Sequence, residues 1–429
     1  MINFDSKHND VAGAKELDGQ DSLSKFRNDF HFPLAENGER ALYFAGHSLG
    51  LMPKKSQEYI EEELNAWKAF GVEGHFKGKH PWLPYHEFLT DHFASIVGGK
   101  TNEVIAMNSL TVNLHLMLVS FYRPTQKRFK ILIENNTFPS DKYAVDSQAR
   151  YHGHDPAKTI VELVPKKGEM TISDDDLVAQ IEAQGDELAL VMLGNCNYLS
   201  GQCFNFKKVV AAAKKVGAMV GFNLAHGAGN LKLSLHNDDV DFAVWCSYKY
   251  INSGPGGLAG AFIHEKYHKD PSIPRFEGWW GTNKKTRFKM EPDFDPIPTA
   301  EAWQLSNPPI FQLAAMRASL DLFHEAGGME VIRNKGDNLT GYLEWLLKEN
   351  CSDSVKIITP AFEEGKQTRG SMLSVRVSKD AKKLEKSLLN ADAVLDFREP
   401  DILRMAPAPL YNSFEDVYEL VNIIKKTLG

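Results

Sequence analysis

Cysteine is scarce in this chain, and long apolar runs are missing altogether. The four cysteines (Cys196, Cys203, Cys246, Cys351) among 429 residues form no C-x-x-C pair. That spacing argues against a disulfide framework or a zinc ribbon and for a reducing compartment. No apolar stretch approaches the ~20 residues that cross a bilayer. Met1-Ile2-Asn3-Phe4-Asp5-Ser6 has neither a basic start nor an apolar core, so no signal peptide is expected. Positive charge is not in excess either. With 49 Lys and Arg against 56 Asp and Glu the net charge is −7, so neither nucleic acid nor an anionic membrane is an expected partner. There is no internal repeat and no low-complexity segment. What remains is the composition of an ordinary globular protein, 43% hydrophobic and 24% charged, long enough for two packed domains. A soluble cytoplasmic enzyme is the expectation.

Short apolar runs alternate with helical patterns from residue 104 onward. Strands are predicted at Val104–Met107, Phe129–Glu134, Ile160–Val164, Leu188–Leu193, Ala218–Phe222, Phe242–Cys246 and Leu258–Ile263. Helices are predicted from about Val112, from Pro139, after Ser173-x-x-Asp176 (a capping-box pattern) and over Lys207–Val216. Such alternation implies a mostly parallel sheet covered by helices on both faces. Ligands of these sheets collect beyond the carboxyl ends of the strands. Leu110-Thr111, Phe138-Pro139-Ser140-Asp141, Gly194-Asn195, Asn223-Leu224-Ala225-His226 and Tyr248-Lys249 all fall at such ends.

Upstream, residues 1–40 are polar and read as a segment wrapping the body. Met52-Pro53-Lys54 opens a predicted helix with Ile60, Leu64 and Trp67 on one stripe and Gly71 as its stop. Ser306-Asn307-Pro308-Pro309 reads as a domain boundary. Strands at Met372–Val377, Val394–Phe397 and Leu403–Met405, and a last helix opened by Ser413-x-x-Asp416, give a smaller α+β domain beyond it.

Trp245-Cys246-Ser247-Tyr248-Lys249-Tyr250 is the stretch with most chemistry in it. A lysine at the mouth of a buried strand is desolvated, which lowers its pKa and favours the nucleophilic amine. Lysines that hold pyridoxal phosphate (PLP) as a Schiff base are placed this way. Two other patterns compete. His264-Glu265-Lys266-Tyr267-His268 fits the H-E-x-x-H zinc pattern, which needs both histidines on one helical face and a third ligand. Here it directly follows a strand, so a zinc hydrolase through His264 and His268 is a remote alternative. Gly254-x-Gly256-x-x-Ala259 fits a dinucleotide fingerprint, but it precedes a strand instead of following one, so it reads as a turn.

Several stretches in this order resemble the kynureninase family of fold-type-I PLP enzymes: Asn113-Leu114-His115, Phe138-Pro139-Ser140-Asp141, Leu224-Ala225-His226, Cys246-Ser247-Tyr248-Lys249-Tyr250, Thr286-Arg287-Phe288-Lys289-Met290, Ser306-Asn307-Pro308-Pro309 and Ala406-Pro407-Ala408-Pro409. The resemblance implies a large PLP-binding domain (41–307) with a seven-stranded, mostly parallel sheet, a small α+β domain (308–429), and residues 1–40 packing on the small domain. It implies a homodimer and hydrolysis of the Cβ–Cγ bond of L-kynurenine or 3-hydroxykynurenine.

By the same resemblance Lys249 is the Schiff-base lysine and takes the substrate's α-proton, and Tyr248 is its acid–base partner. Leu110, Thr111 and Tyr248 lie at the phosphate, Phe138 stacks on the ring, and Pro139, Ser140, Asp141, Gly194, Asn223 and His226 are further cofactor-binding residues. Trp279 and Asn307 contact the cofactor, across a subunit interface. His75, Ser306 and Asn307 meet the substrate ring, and Arg404 clamps the substrate carboxylate. That last role suits a guanidinium, which offers paired donors and stays charged.

The sequence departs from the family at Asn223, where the family has an aspartate that keeps the pyridine nitrogen protonated. A neutral amide cannot supply that charge, so a handicap of several kcal/mol is expected, and with it the alternative of a weakly active or inactive PLP-binding relative. Gly281-Thr282-Asn283 and Gly194 are further departures. A PLP-dependent desulfurase would need a reactive cysteine on a loop, and none can be nominated.

Overall fold

The computed structural model describes residues 2–35 and 38–428. Seven short strands form its central sheet: β1 (Val104–Ala106), β2 (Lys130–Glu134), β3 (Ile160–Leu163), β4 (Leu188–Gly194), β5 (Met219–Asn223), β6 (Phe242–Trp245) and β7 (Gly260–Ile263). Their order is β1-β7-β6-β5-β4-β2-β3. β6, β5, β4, β2 and β3 run parallel, and β7 is antiparallel to both neighbours. The strands are apolar almost without interruption because helices cover both faces, leaving no side of the sheet for water. Trp245, Phe222 and Phe242 are fully buried there, each such side chain contributing roughly 1.5–3 kcal/mol of transfer free energy.

The expected strands all form, with ends shifted by one or two residues. The helices follow as well: Leu110–Phe121, Pro139–Tyr151, Asp174–Glu182 and Phe206–Lys215. Ser173 caps the third through its hydroxyl, which accepts from the Asp176 amide. One expectation fails near residue 52. Met52–Pro53 pairs antiparallel with Phe30–His31, and the helix begins at Lys55. Its stripe is not all core either, since Leu64 and Trp67 are exposed while Ile60 is half-buried.

A four-stranded antiparallel sheet makes the second layer: β8 (Val355–Ile357), β9 (Leu373–Val377), β10 (Asp396–Arg398) and β11 (Ile402–Met405), ordered β8-β9-β11-β10. The predicted strand at 394–397 is split, because Ala393–Val394 leaves this sheet to pair with Leu42–Tyr43. Helices Gly328–Cys351 and Phe414–Leu428 cover the small sheet, and helix Val11–Gly19 lies on the latter. Helix Ile310–Glu325 belongs to the large core, against Lys55–Phe70, so the two cores meet within Gly328–Cys351 and not at residue 308. Among the described residues no helix is long and apolar enough to cross a membrane.

Candidate active site

A cavity of about 320 Å³ opens at the carboxyl ends of the parallel strands, where the small domain leans over them. Lys249 sits on its floor, in a tight turn after β6. The turn is closed by Ser253 N–H to the Ser247 carbonyl (3.1 Å), by Asn252 N–H to the Lys249 carbonyl (3.1 Å), and by the Ser247 hydroxyl with Ser253 and Leu258. Asn252 takes the left-handed φ of 57° that asparagine tolerates. Gly50 lies directly beneath, donating to the Tyr248 carbonyl at 2.8 Å. A Cβ there would stand 2.3 Å from the Lys249 carbonyl oxygen, so only glycine lets this segment close on the lysine turn.

Burial lowers the pKa of Lys249, and the Arg404 charge adds to that effect. Its amine is 3.1 Å from His226 Nε2 and 5.9 Å from the Phe138 ring centroid. Burial and the neighbouring Lys249 hold His226 well below the usual histidine range, so it meets the amine as a neutral imidazole. Tyr248 is pushed up by burial and keeps its proton.

Two helix N-termini converge beside the lysine, those of Leu110–Phe121 and Pro139–Tyr151. Neither has a side-chain cap, which leaves first-turn N–H groups for an anion. The Thr111 and Ser140 hydroxyls bridge the two ends at 2.7 Å. This donor set suits a phosphate. At the opposite end, the Asp141 Oδ2 accepts from Asn223 Nδ2 at 2.7 Å, while the buried Asp141 Oδ1 has no partner. A nucleophilic amine, an anion cradle, an exposed aromatic face at Phe138 and an unmatched buried carboxylate oxygen together fit PLP.

Arg404, on β11, is buried and faces the same cavity. Asp396 holds it with two contacts (2.9 and 2.8 Å), and the Tyr198 carbonyl accepts a third N–H at 2.6 Å. These fix the guanidinium plane and leave N–H donors over.

The cavity thus gathers Leu110, Thr111, Phe138, Ser140, Asp141, Gly194, Asn223, His226, Tyr248, Lys249 and Arg404. Pro139 opens its helix without lining the cavity. His75, Trp279, Ser306 and Asn307 are not brought there within this chain. His75 is half-buried, its Nδ1 2.9 Å from the Val72 carbonyl, and Trp279 is 44% exposed, its Nε1 donating to the Arg287 carbonyl.

Sequence reasoning missed His47, Glu134, Cys196, Tyr198 and Arg398, which also line the cavity. His47 is buried with both ring nitrogens unpartnered, and burial and Arg404 push it down to about 3. Glu134, the last residue of β2, was legible as a strand-end carboxylate. It accepts from the Gly194 amide at 2.7 Å, and burial and Asp141 push it up to about 8. A Cβ at 194 would stand 2.9 Å from the nearer Glu134 oxygen, so the glycine at this departure makes room for the carboxyl group.

The expectation of unpaired cysteines fails at one place. Cys196 and Cys203 face each other across a tight turn, Cα atoms 4.2 Å apart, and form a disulfide. No C-x-x-C spacing announces it, because the turn from Asn197 to Gln202 brings the two thiols together. Cys246 and Cys351 are free and buried.

The pairing of His264 with His268 as zinc ligands on one helical face does not form; the ligand atoms of His264 group instead with Glu103 and His236. Glu265–Tyr267 is a single 3-10 turn, His268 Nε2 lies 2.9 Å from the Ile263 carbonyl, and His264 Nδ1 accepts from the Lys266 amide.

The kynureninase C-terminal domain family matches residues 332–424. The chain is 55% identical to the kynureninase of Myxococcus xanthus over 96% of both chains, and 51% identical to that of Koribacter versatilis over 95% of both. It is 45% identical to the kynureninase of Nematostella vectensis, covering 96% of this chain and 92% of that one. Among solved structures, a C-DES variant with glycine covalently linked to its PLP cofactor superimposes with a TM-score of 0.75 at 17% identity, over 89% of this chain and 96% of that one. The apo cysteine desulfurase of Thermococcus onnurineus NA1 gives a TM-score of 0.74 at 16% identity, over 94% and 97%. These two share the fold.

Proposed function

The chain belongs to the kynureninase family, and on that premise we propose how its residues divide the PLP-dependent hydrolysis of kynurenine. The bond cleaved is Cβ–Cγ of L-kynurenine or its 3-hydroxy form, giving L-alanine and an anthranilate in tryptophan catabolism. When bound, PLP supplies the electrophilic aldehyde and the electron sink for charge that develops on the substrate.

Lys249 would hold the cofactor covalently, and desolvation lowers its pKa, which favours the nucleophilic amine. As a free amine Lys249 would take the substrate's α-proton, with His226 at 3.1 Å orienting it. Thr111, Ser140 and the two helix N-termini bind the phosphate. Phe138 would cover the ring, and water entering the crevice adds to the γ-carbonyl carbon, its oxygen ending in the anthranilate carboxyl group as the Cβ–Cγ bond breaks. Arg404, its plane fixed by Asp396, clamps the substrate carboxylate. Tyr248, which retains its proton at neutral pH, donates to the carbon left by the departing anthranilate.

Trp279, Asn307, Ser306 and His75 serve the site of a second copy in a homodimer. Two exposed apolar clusters support that reading: Trp67, Phe70, Val72 and Phe76 beside His75, and Phe288 and Met290 beside Trp279. A cytoplasmic location agrees with the two free thiols, while the Cys196–Cys203 disulfide is the feature at odds with it.

The observation that carries the proposal is the buried amine of Lys249 set between an anion cradle and a buried carboxylate. Borohydride reduction of the protein with PLP, followed by peptide mapping, is expected to place the label on Lys249, with anthranilate fluorescence rising when kynurenine is supplied. A label on another residue, or no anthranilate, sinks it.

A further inference from the structure

The departure at Asn223 is met by a rearrangement of hydrogen bonds on the floor of the cavity. The amide's two ends are told apart by their partners. Asn223 Oδ1 accepts from the Ala225 amide at 2.9 Å, and Nδ2 donates to Asp141 Oδ2 at 2.7 Å. The first bond needs an acceptor and the second a donor, so the orientation of the amide is set. Asn223 thus has its oxygen engaged by the Ala225 amide and offers no negative charge to a ring N–H. A protonated pyridine nitrogen carries an N–H that a carboxylate matches better than a neutral amide. The acceptor is next door, at Asp141 Oδ1, buried, without a partner and lining the same cavity. A buried carboxylate oxygen left unmatched is destabilising unless a ligand meets it.

We infer that in this chain Asp141 supplies the carboxylate that pairs with the protonated ring nitrogen of the cofactor, and that Asn223 locks Asp141 in place. The inference rests on the PLP reading above. It moves the charge pair from the strand-end residue of β5 to the first turn of the helix Pro139–Tyr151. The other groups facing Asp141 are compatible with it. Lys249 lies within electrostatic reach and favours the ionised form of Asp141. Glu134 has one oxygen on the Gly194 amide and the other 3.4 Å from Asn197 Nδ2, so Asp141 keeps the role of free acceptor. Asp141 thereby becomes a cofactor-binding residue with an electronic role, and Asn223 a positioning residue.

The test is NMR of the holoenzyme with PLP carrying an NMR-active isotope at the ring nitrogen. The wild-type signal is expected at the protonated position at neutral pH. Asp141→Asn is expected to move it to the neutral position and to weaken cofactor binding by about tenfold to a hundredfold. Asn223→Ala, which removes the bond that holds Asp141, is expected to lower the protonated fraction, Glu134→Gln is expected to leave the signal protonated, and Asn223→Asp is expected to restore it when combined with Asp141→Asn; an unchanged signal in Asn223→Ala overturns the positioning role. A neutral signal in the wild type overturns the inference without any variant having to fold, and so does a protonated signal in Asp141→Asn. A wild-type protein that takes up no PLP brings down the functional reading itself, an outcome distinct from a bound cofactor with a neutral ring.

Discussion

The floor of the cavity and the exposed surface around Trp279 were both assigned to one active site, yet they are built in opposite ways. On the floor, His226, Asn223 and Arg404 are buried and Lys249 half-buried, each tied to neighbours of the same chain. Around Trp279 large apolar side chains face outward, with Phe288 52% and Met290 67% exposed. Most buried polar groups find partners during folding of the single chain, and those on the floor that do not, Asp141 Oδ1 and His47, face the cavity. Large apolar groups left in water lose nothing irrecoverable, and gain when another surface covers them. On the proposed reading, folding of one chain assembles the first half of the site, and a second copy would complete the other.

The sharpest way to break this contrast is to disable each half separately. Lys249→Ala is expected to lower kynurenine turnover by at least ~10³-fold, and Trp279→Ala to lower it by about tenfold to a hundredfold through lost cofactor contact. Coexpressed, the two variants are expected to regain a measurable share of activity, since a mixed dimer holds one site with both residues intact. No recovery in a confirmed mixed dimer would place Trp279 outside the partner's site.

Arg404→Lys tests the first half more finely. A lysine lacks the planar fork that Asp396 fixes, so KM for kynurenine is expected to rise about tenfold to a hundredfold, more than kcat falls. An unchanged KM would remove the carboxylate clamp.

Glu134→Gln addresses the price of burying acids on that floor. Glu134 keeps its proton in the folded chain up to about pH 8, while the unfolded chain loses it near the ordinary 4.5. The folded state then binds more protons across that window, so stability falls as pH rises through it. Asp141, raised to about 6 by burial, adds the same sign over the lower part. Denaturation midpoints are expected to fall from pH 5 to 8 in wild type, and less steeply in Glu134→Gln. Equal slopes would exclude Glu134 as the source.

The smallest effect is expected at the cavity edge. Cys196→Ser removes a cross-link over a short loop and is expected to cost about 2 kcal/mol of stability or less, read from denaturant midpoints under oxidising conditions. The same shift on adding a reductant to wild type would tie it to the disulfide, and no difference between oxidised and reduced wild type would show that the pair is not joined in solution.

Most of the sheet was readable in advance, because seven runs such as Leu188–Leu193 and Phe242–Cys246 are too apolar to be anything but strands buried on both faces. The residues at their ends followed from the same pattern. What sequence reasoning lost were groups with no strand-end signature. His47 reaches the lysine through a close backbone approach at Gly50, and Tyr198 and Arg398 arrive from loops and from the small domain. The Cys196–Cys203 pair depends on a turn whose shape no spacing rule describes. The boundary placed at residue 308 failed for a related reason. Prolines mark a break in the chain, but only the packing of Leu313, Met316 and Leu320 into the large core shows which side the next helix joins.

Hydrophobic periodicity, which is local, determined the alternation of strands and helices, and with it the crevice where Lys249, His226 and Asp141 meet. The orientation of the Asn223 amide, the free oxygen of Asp141, the room that Gly194 leaves for Glu134 and the outward turn of Trp279 were decided by tertiary structure alone. Each depends on which atoms from distant parts of the chain come within hydrogen-bonding or van der Waals range, and periodicity carries no record of those distances.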